Sequence, residues 1–169
     1  GTSRTYFCVD GDNWRRNIPV GTVLQRQIMS TTSSLNNATT TEAATPLTDT
    51  ISLLDAGSAV RVTAAGIEIG CHRNAGSPTV YEGEARLWRT AVTSGTLIAK
   101  DHFGRTKVTD PANGDRTFHN ITMAAVEDSP ATKSATTYVV GTVSVSTDIL
   151  VQFNGYSNLA HMMLEEIAT

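Results

Sequence analysis

The clearest pattern in the chain is a two-residue alternation running from Tyr81 to Trp88. Tyr81, Gly83, Ala85 and Leu87 fall on one face, and Glu82, Glu84, Arg86 and Trp88 on the other. Period two marks a strand with one face turned inward. Less regular runs predict further strands over Val20 to Met29, Leu47 to Leu54, Ala59 to Gly70, Thr96 to Phe103, Thr117 to Val126, Ala135 to Ser146, Ile149 to Phe153 and Leu159 to Ile167. Turn chemistry separates them: the 72–79 loop, the charged 104–116 stretch with Pro111 and Asn113-Gly114, Asp128-Ser129-Pro130, and Asn154-Gly155. About eight to ten short strands with this rhythm predict an all-β sandwich or jelly roll. The best helix candidate is Leu159 to Ala168, but the preceding Asn-Gly favours the closing strand of a hairpin.

Two segments lack a clear period. Residues 1–18 are polar, with a turn cluster at Asp10-Gly11-Asp12-Asn13, and read as an irregular lead-in from an upstream segment, followed by a domain over 19–169. The opening Gly1-Thr2-Ser3, without Met, is expected to be a cleavage scar or fragment boundary. Residues 30–46 are Ser, Thr, Asn and Ala, an exposed loop or weakly patterned edge strand punctuated by Pro46.

Composition supports the strand reading and removes some functions. The 169 residues suit one domain with its own core, and the aromatic fraction of 6% makes that core lean. About one residue in six or seven is Thr, a β-branched residue that fits pleated surfaces. The net charge of −3 and the lack of a basic stripe argue against nucleic-acid binding, Arg15-Arg16 being the only adjacent basic pair. No apolar run has bilayer-spanning length. Cys8 and Cys71 are far apart, read as two thiols in preference to a disulfide.

The search for chemistry returns little. There is no G-x-S-x-G elbow, and Cys71 and His72, as strand neighbours, point to opposite faces. His72, His102, His119 and His161 are scattered singles, so no metal site is expected, and no cofactor motif appears. Glu82/Glu84 and Glu165/Glu166 are carboxylate pairs; the first reads as a solvated face balanced by Arg86 and Arg89 more than as a glycosidase pair. The expectation is a protein that binds and does not catalyse. Trp88, on the polar face of its strand, either packs under a loop or subunit or offers a stacking platform for a sugar, with burial the preferred reading. Tyr156, after the Asn-Gly turn, is expected near a loop tip, where binding residues often lie.

The stretch from Val126 through Asp128-Ser129-Pro130-Ala131-Thr132 to Thr136-Thr137-Tyr138, the ending Leu164-Glu165-Glu166-Ile167-Ala168 and the opening Gly21-Thr22-Val23-Leu24-Gln25 together resemble the C-terminal head domains of bacteriophage tail-fibre and tailspike proteins, over residues 18–169. The resemblance implies a jelly roll of the tumour-necrosis-factor or complement-C1q kind. It also implies a homotrimer on an upstream tail shaft, at the tip of the virion tail, attaching to a bacterial surface polysaccharide. Ligand contacts are then expected at Trp88, Tyr156, Arg86, Arg73, Asn74 and Arg105, and the threefold interface at His161, Met162 and Leu164. The charged loop 104–116, with Arg105, Lys107, Asp110, Asp115 and Arg116, departs from the pattern and is either a specificity element or drift. The rival readings are a trimerisation or folding cap without receptor contact and a glycan-cleaving domain of a depolymerase.

Overall fold

A computed structural model of the chain describes residues 6–8, 14–16, 18–76, 80–106, 116–156 and 158–169, and every described element is a strand. β1 (Tyr6–Cys8) and β2 (Trp14–Arg16) pair antiparallel with each other, so the lead-in expected to be irregular holds a short hairpin. The turn cluster at residues 10–13 lies outside the described residues.

The remaining ten strands form two antiparallel sheets. One has the order β5 (Ala43–Ile51), β10 (Thr136–Ser144), β7 (Val80–Arg89), β8 (Thr96–Thr106). The other contains β3 (Val23–Thr31), β4 (Leu35–Asn37), β6 (Ala59–Arg73), β9 (Arg116–Asp128), β11 (Ile149–Phe153) and β12 (Ala160–Ile167). Here β6 is the spine. β9 follows one edge of it from Val60 to His72, while the other edge pairs first with β12 and then with β11. β12 in turn pairs with β3, and β11 with β4.

The hairpin expected across Asn154-Gly155 is therefore not formed. Residue numbers rise along β11 and β12 as they fall along β6 in both pairings, so the two run collinearly, as one strand interrupted by residues 154–159. β3 and β4 are likewise halves of one strand, interrupted at residues 32–34. An Asn-Gly pair favours a tight reversal but does not compel one; here β6 offers the next segment an edge in line with β11. Counting each interrupted strand once, the two sheets read first-eighth-third-sixth and second-seventh-fourth-fifth in chain order. That is the double Greek key of a jelly roll.

Two further expectations change. Pro46 does not precede its strand but lies inside β5. That strand is at a sheet edge, and its register slips between Val139 and Gly141 of β10, where Pro46 falls, so the missing N–H breaks no regular ladder. Within residues 30–46, β4 is the weakly patterned edge strand; among the described strands its backbone pairs with β11 alone, and its Asn37 side chain donates to the Thr142 carbonyl of β10 at 2.9 Å.

Inward-facing side chains from both sheets make one core. It includes Leu47, Val62, Ile67, Ile69, Cys71, Tyr81, Leu87, Tyr138, Val151, Phe153, Met162 and Leu164. Cys71 is a core thiol; the side chain of Cys8 falls outside the described residues. Two carboxylates close the end of the core where β6 begins, since Asp128 and Glu166 both pair with Val60. Asp128 accepts from the Tyr138 hydroxyl at 2.7 Å and from Arg89 at 3.0 Å, bridging the two sheets. Burial, then the adjacent carboxylate, pushes the Tyr138 hydroxyl far up, so it remains a donor. Glu166 is fully buried without a cation; its oxygens accept from the N–H groups of Leu54 and Asp55 at 3.0 Å and from Gln25 at 2.7 Å. Burial raises this carboxyl's pKa, but the converging donors outweigh it and hold it below the ordinary glutamate value.

A depressed native pKa stabilises the fold above the unfolded glutamate's titration, about pH 4.3. That contribution is lost as pH falls through the lower native value. Glu166→Gln is expected to cost about 1–3 kcal/mol at pH 7 by setting an amide N–H against backbone donors. The difference from wild type should shrink as pH falls below the unfolded glutamate's titration, about 4.3, as read by urea unfolding at pH 7 and in acid; an undiminished difference in acid would contradict the assignment.

Candidate functional site

The residues expected to contact a ligand are distributed over different surfaces. Trp88 and Arg86 lie on the outward face of the β5–β10–β7–β8 sheet, and neither is open. Trp88 is 9% exposed, and its indole Nε1 donates to Glu42 Oε1 at 2.5 Å. Arg86 joins Glu42 Oε2 at 3.0 Å and Glu84 Oε2 at 2.7 Å. The Glu84 carboxyl feels burial, which raises its pKa, but its hydrogen bond and charge pairing with Arg86 lower it overall. The Glu82/Glu84 face is thus partly balanced by Arg86, whereas Arg89 is drawn away to Asp128. Of the two readings of Trp88, burial is the one observed: an indole sealed by Glu42 has no face for a sugar. Its partner is 46 residues distant in sequence and carries no motif.

The expected interface residues also separate. Met162 and Leu164 are fully buried in the protomer's own core, because the two-residue period of β12 turns them inward. They are intrachain core, not interface. His161 faces outward, partly exposed, paired with Ser30 and Ala65. Arg73 and Asn74 stand exposed where β6 ends; Asn74 donates from its side chain to the Thr147 carbonyl at 2.9 Å and from its backbone to that of Asp148 at 2.7 Å, tying the two loops together. Arg105 lies in β8, and its side chain falls outside the described residues.

Tyr156 belongs to a structured surface that the sequence did not reveal as a unit. On the outward face of β6, Glu68, Gly70 and His72 alternate with the core residues Ile67, Ile69 and Cys71. Gly70 pairs with Phe118 of β9 on one side and Gln152 of β11 on the other, and Gln152 pairs with Asn36 of β4. A Cβ at Gly70 would lie 2.6 Å from the His72 ring and 3.0 Å from the Phe118 ring, so the bare glycine lets both rings lie close to the sheet. His72 meets Phe118 edge-on at 5.7 Å between centroids, and Phe118 meets Tyr156 at 5.0 Å with the rings tilted by 47°. Phe118 is 40% and Tyr156 60% exposed.

The turn that presents Tyr156 is firmly held. Asn154 is buried with a left-handed φ of 53°, its N–H donating to the Glu68 carbonyl at 2.7 Å. The Glu68 carboxylate accepts from the Tyr156 N–H at 3.2 Å and from the Asn158 side chain at 2.5 Å. Two exposed rings, Phe118 on β9 and Tyr156 on the adjoining turn, amid Asn36, Gln152, Asn120 and Asn158, form a stacking surface with hydrogen-bonding edges. A pattern search could have found half of it: Phe118, Asn120 and Thr122 are the outward residues of β9, but their meeting with Tyr156 depends on the collinear β11 and β12.

No protein-family model matches the sequence, and no curated protein matches it. Among solved structures, 96% of the chain is similar to the VP2 subviral particle of infectious bursal disease virus, at 10% identity and a TM-score of 0.33, covering 42% of that chain. The Gx strain of the same virus gives 8% identity and a TM-score of 0.34, with 96% and 41% covered. The chain thus spans about two fifths of these relatives' length. At such values the likeness adds nothing to the winding order read from the strands.

The two aromatics should separate cleanly in thermal unfolding. Trp88→Ala is expected to destabilise by about 3–5 kcal/mol, as a buried indole lost together with the partner of Glu42. Tyr156→Ala should stay within about 0.5 kcal/mol, as for an exposed side chain. A Tyr156→Ala loss as large as that of Trp88→Ala would show the turn to be a structural element and not a presenting one.

Proposed function

We propose that this domain is the receptor-binding head of a phage tail fibre or tailspike, attaching the virion to a bacterial surface glycan. The observation that carries the reading is the Phe118–Tyr156 ring pair, exposed on an outward sheet face and held by Glu68. Sugar rings present flat C–H faces bordered by hydroxyls, and aromatic faces flanked by amides complement both features. The phage assignment itself comes from the resemblance in the Asp128–Tyr138 and C-terminal segments. In this reading the domain acts by binding and leaves the polymer uncut, at the tail tip and outside the bacterial envelope.

A labelled domain should bind host cells and compete with phage adsorption. The Phe118→Ala/Tyr156→Ala double variant should lose about five- to a hundredfold in cell binding, as stacking contacts are each worth roughly 0.5–1.5 kcal/mol and act together, while remaining folded by circular dichroism. Undiminished cell binding by that variant would remove the platform from the reading.

A second reading, the trimerisation cap, has its own supporting observation. On the same outward face, past the interruption, Ile28 is 62% exposed beside its partner Met163, with His161 two residues along. We place the homotrimer contact there, the expected Met162 and Leu164 being core. Light scattering after size exclusion should give three protomers, and Ile28→Glu should shift the mass to one without lowering the monomer's helix-free dichroism spectrum. A stable wild-type monomer at micromolar concentration sinks the trimer. If the domain neither binds cells nor blocks adsorption yet keeps the full fibre soluble, the cap is the function.

A further inference from the structure

We infer that the platform, taken as the glycan site proposed above, selects neutral pyranoses against acidic ones, with Glu68 as the discriminating group. The inference rests on the charge inventory of the face. Other buried carboxylates in the described structure have clear compensation: Glu42 pairs with Arg86, Glu165 with Arg26, and Glu166 collects several converging donors. Glu68 is 8% exposed and receives only the Tyr156 N–H and the Asn158 amide, with no cation near it among the described residues. A carboxylate has about four acceptor positions, so Glu68 keeps spare capacity directly beneath the turn that carries Tyr156.

The neighbours make the same selection. Asn120 is the cross-strand partner of Glu68, Gln152 and Asn36 lie in the row of Gly70, and Asn158 contacts Glu68 itself. These are neutral donors and acceptors, suited to hydroxyl groups; the basic residues of the face, His72 and its cross-strand partner Arg116, stand four residues along β6 from Glu68, beyond Gly70. Sugars bearing carboxylates are commonly held by Arg or Lys. Here an acidic sugar stacked on Tyr156 meets a like charge at low local dielectric, which costs far more than it would in open water. A neutral sugar donates a hydroxyl proton to the same oxygens.

The test uses the intact protein and two pairs of small probes: methyl glucoside against methyl glucuronide, and methyl galactoside against methyl galacturonide. Each pair differs at C6 alone. Titration is followed by NMR through the ring signals of Phe118 and Tyr156. The neutral member of at least one pair should shift both rings, and its uronate should bind about tenfold or more weakly in low salt. The gap should narrow in about 0.5 M salt, where charges are screened within a few ångströms. Glu68→Gln should also narrow it. If Glu68→Gln loosens the turn and abolishes all binding, the salt dependence of the unaltered protein decides. Equal or tighter binding of the uronates overturns the selectivity and leaves the glycan site standing. Failure of every probe to move either ring overturns both.

Discussion

The molecule is organised by a single level at which one sheet cannot remain regular. At Gly66 the spine strand β6 takes a φ of +68°, and a Cβ there would lie 2.5 Å from the Leu159 carbonyl oxygen. Only glycine accepts both the left-handed backbone and that approach. At the same level the β3/β4 strand breaks at residues 32–34, the β11/β12 strand breaks at residues 154–159, and the register of β9 slips twice against β6. Asn154 ties the breaks together, its side-chain amide reaching the carbonyls of Thr31 and Ser33 at 3.4 Å. A one-residue slip would turn every following side chain to the opposite face. The sheet absorbs the irregularity in step across its strands, and the core alternation resumes on the far side.

What the irregularity produces is a division of labour along one sheet face. On one side lies the aromatic surface of His72, Phe118 and Tyr156; on the other, Ile28 and Met163 stand out among charged groups such as Arg26 and Glu165. The opposite sheet has a different character. Its outward face is sealed by the Glu42–Arg86–Glu84 network and the indole of Trp88. A buried ion pair of this kind adds less to stability than its short distances suggest, because both charges were first taken from water. Its effect is to fix the segment before β5 against β7, while the β8 side of that face, with Lys100 and His102, stays exposed.

Much of the architecture was legible from the two-residue period. The alternation between Tyr81 and Leu87 survives in the burial of β7, residue by residue, and most other strands form within a few positions of where apolar runs and turn residues place them. The Asp128-to-Tyr138 segment, conspicuous as a motif, acquires a physical basis: its first acid and last phenol meet and pin the two sheets together. What the pattern could not supply was partnership. Asn154-Gly155 has the same local chemistry in a hairpin and in an excursion from a continuous strand, and only the edge offered by β6 decides between them. Trp88 shares its strand face with polar neighbours, and its burial, the preferred reading, comes from Glu42, a residue just before β5 that no local pattern points to. The resemblance puts Met162 and Leu164 at a threefold interface, whereas the structure turns that face of β12 into the protomer's own core.

The excursion at residues 154–159 is an insertion within a strand whose two halves are each fixed independently, β11 by β6 and β4, β12 by β6 and β3. Its length is therefore uncoupled from the register of the sheet. Residues can be added beside Tyr156 at small cost so long as Asn154 and Asn158 keep their hydrogen bonds, because loop-closure cost grows only slowly with length. The fold thus carries this short segment and its tyrosine on a frame that the other strands fix on their own.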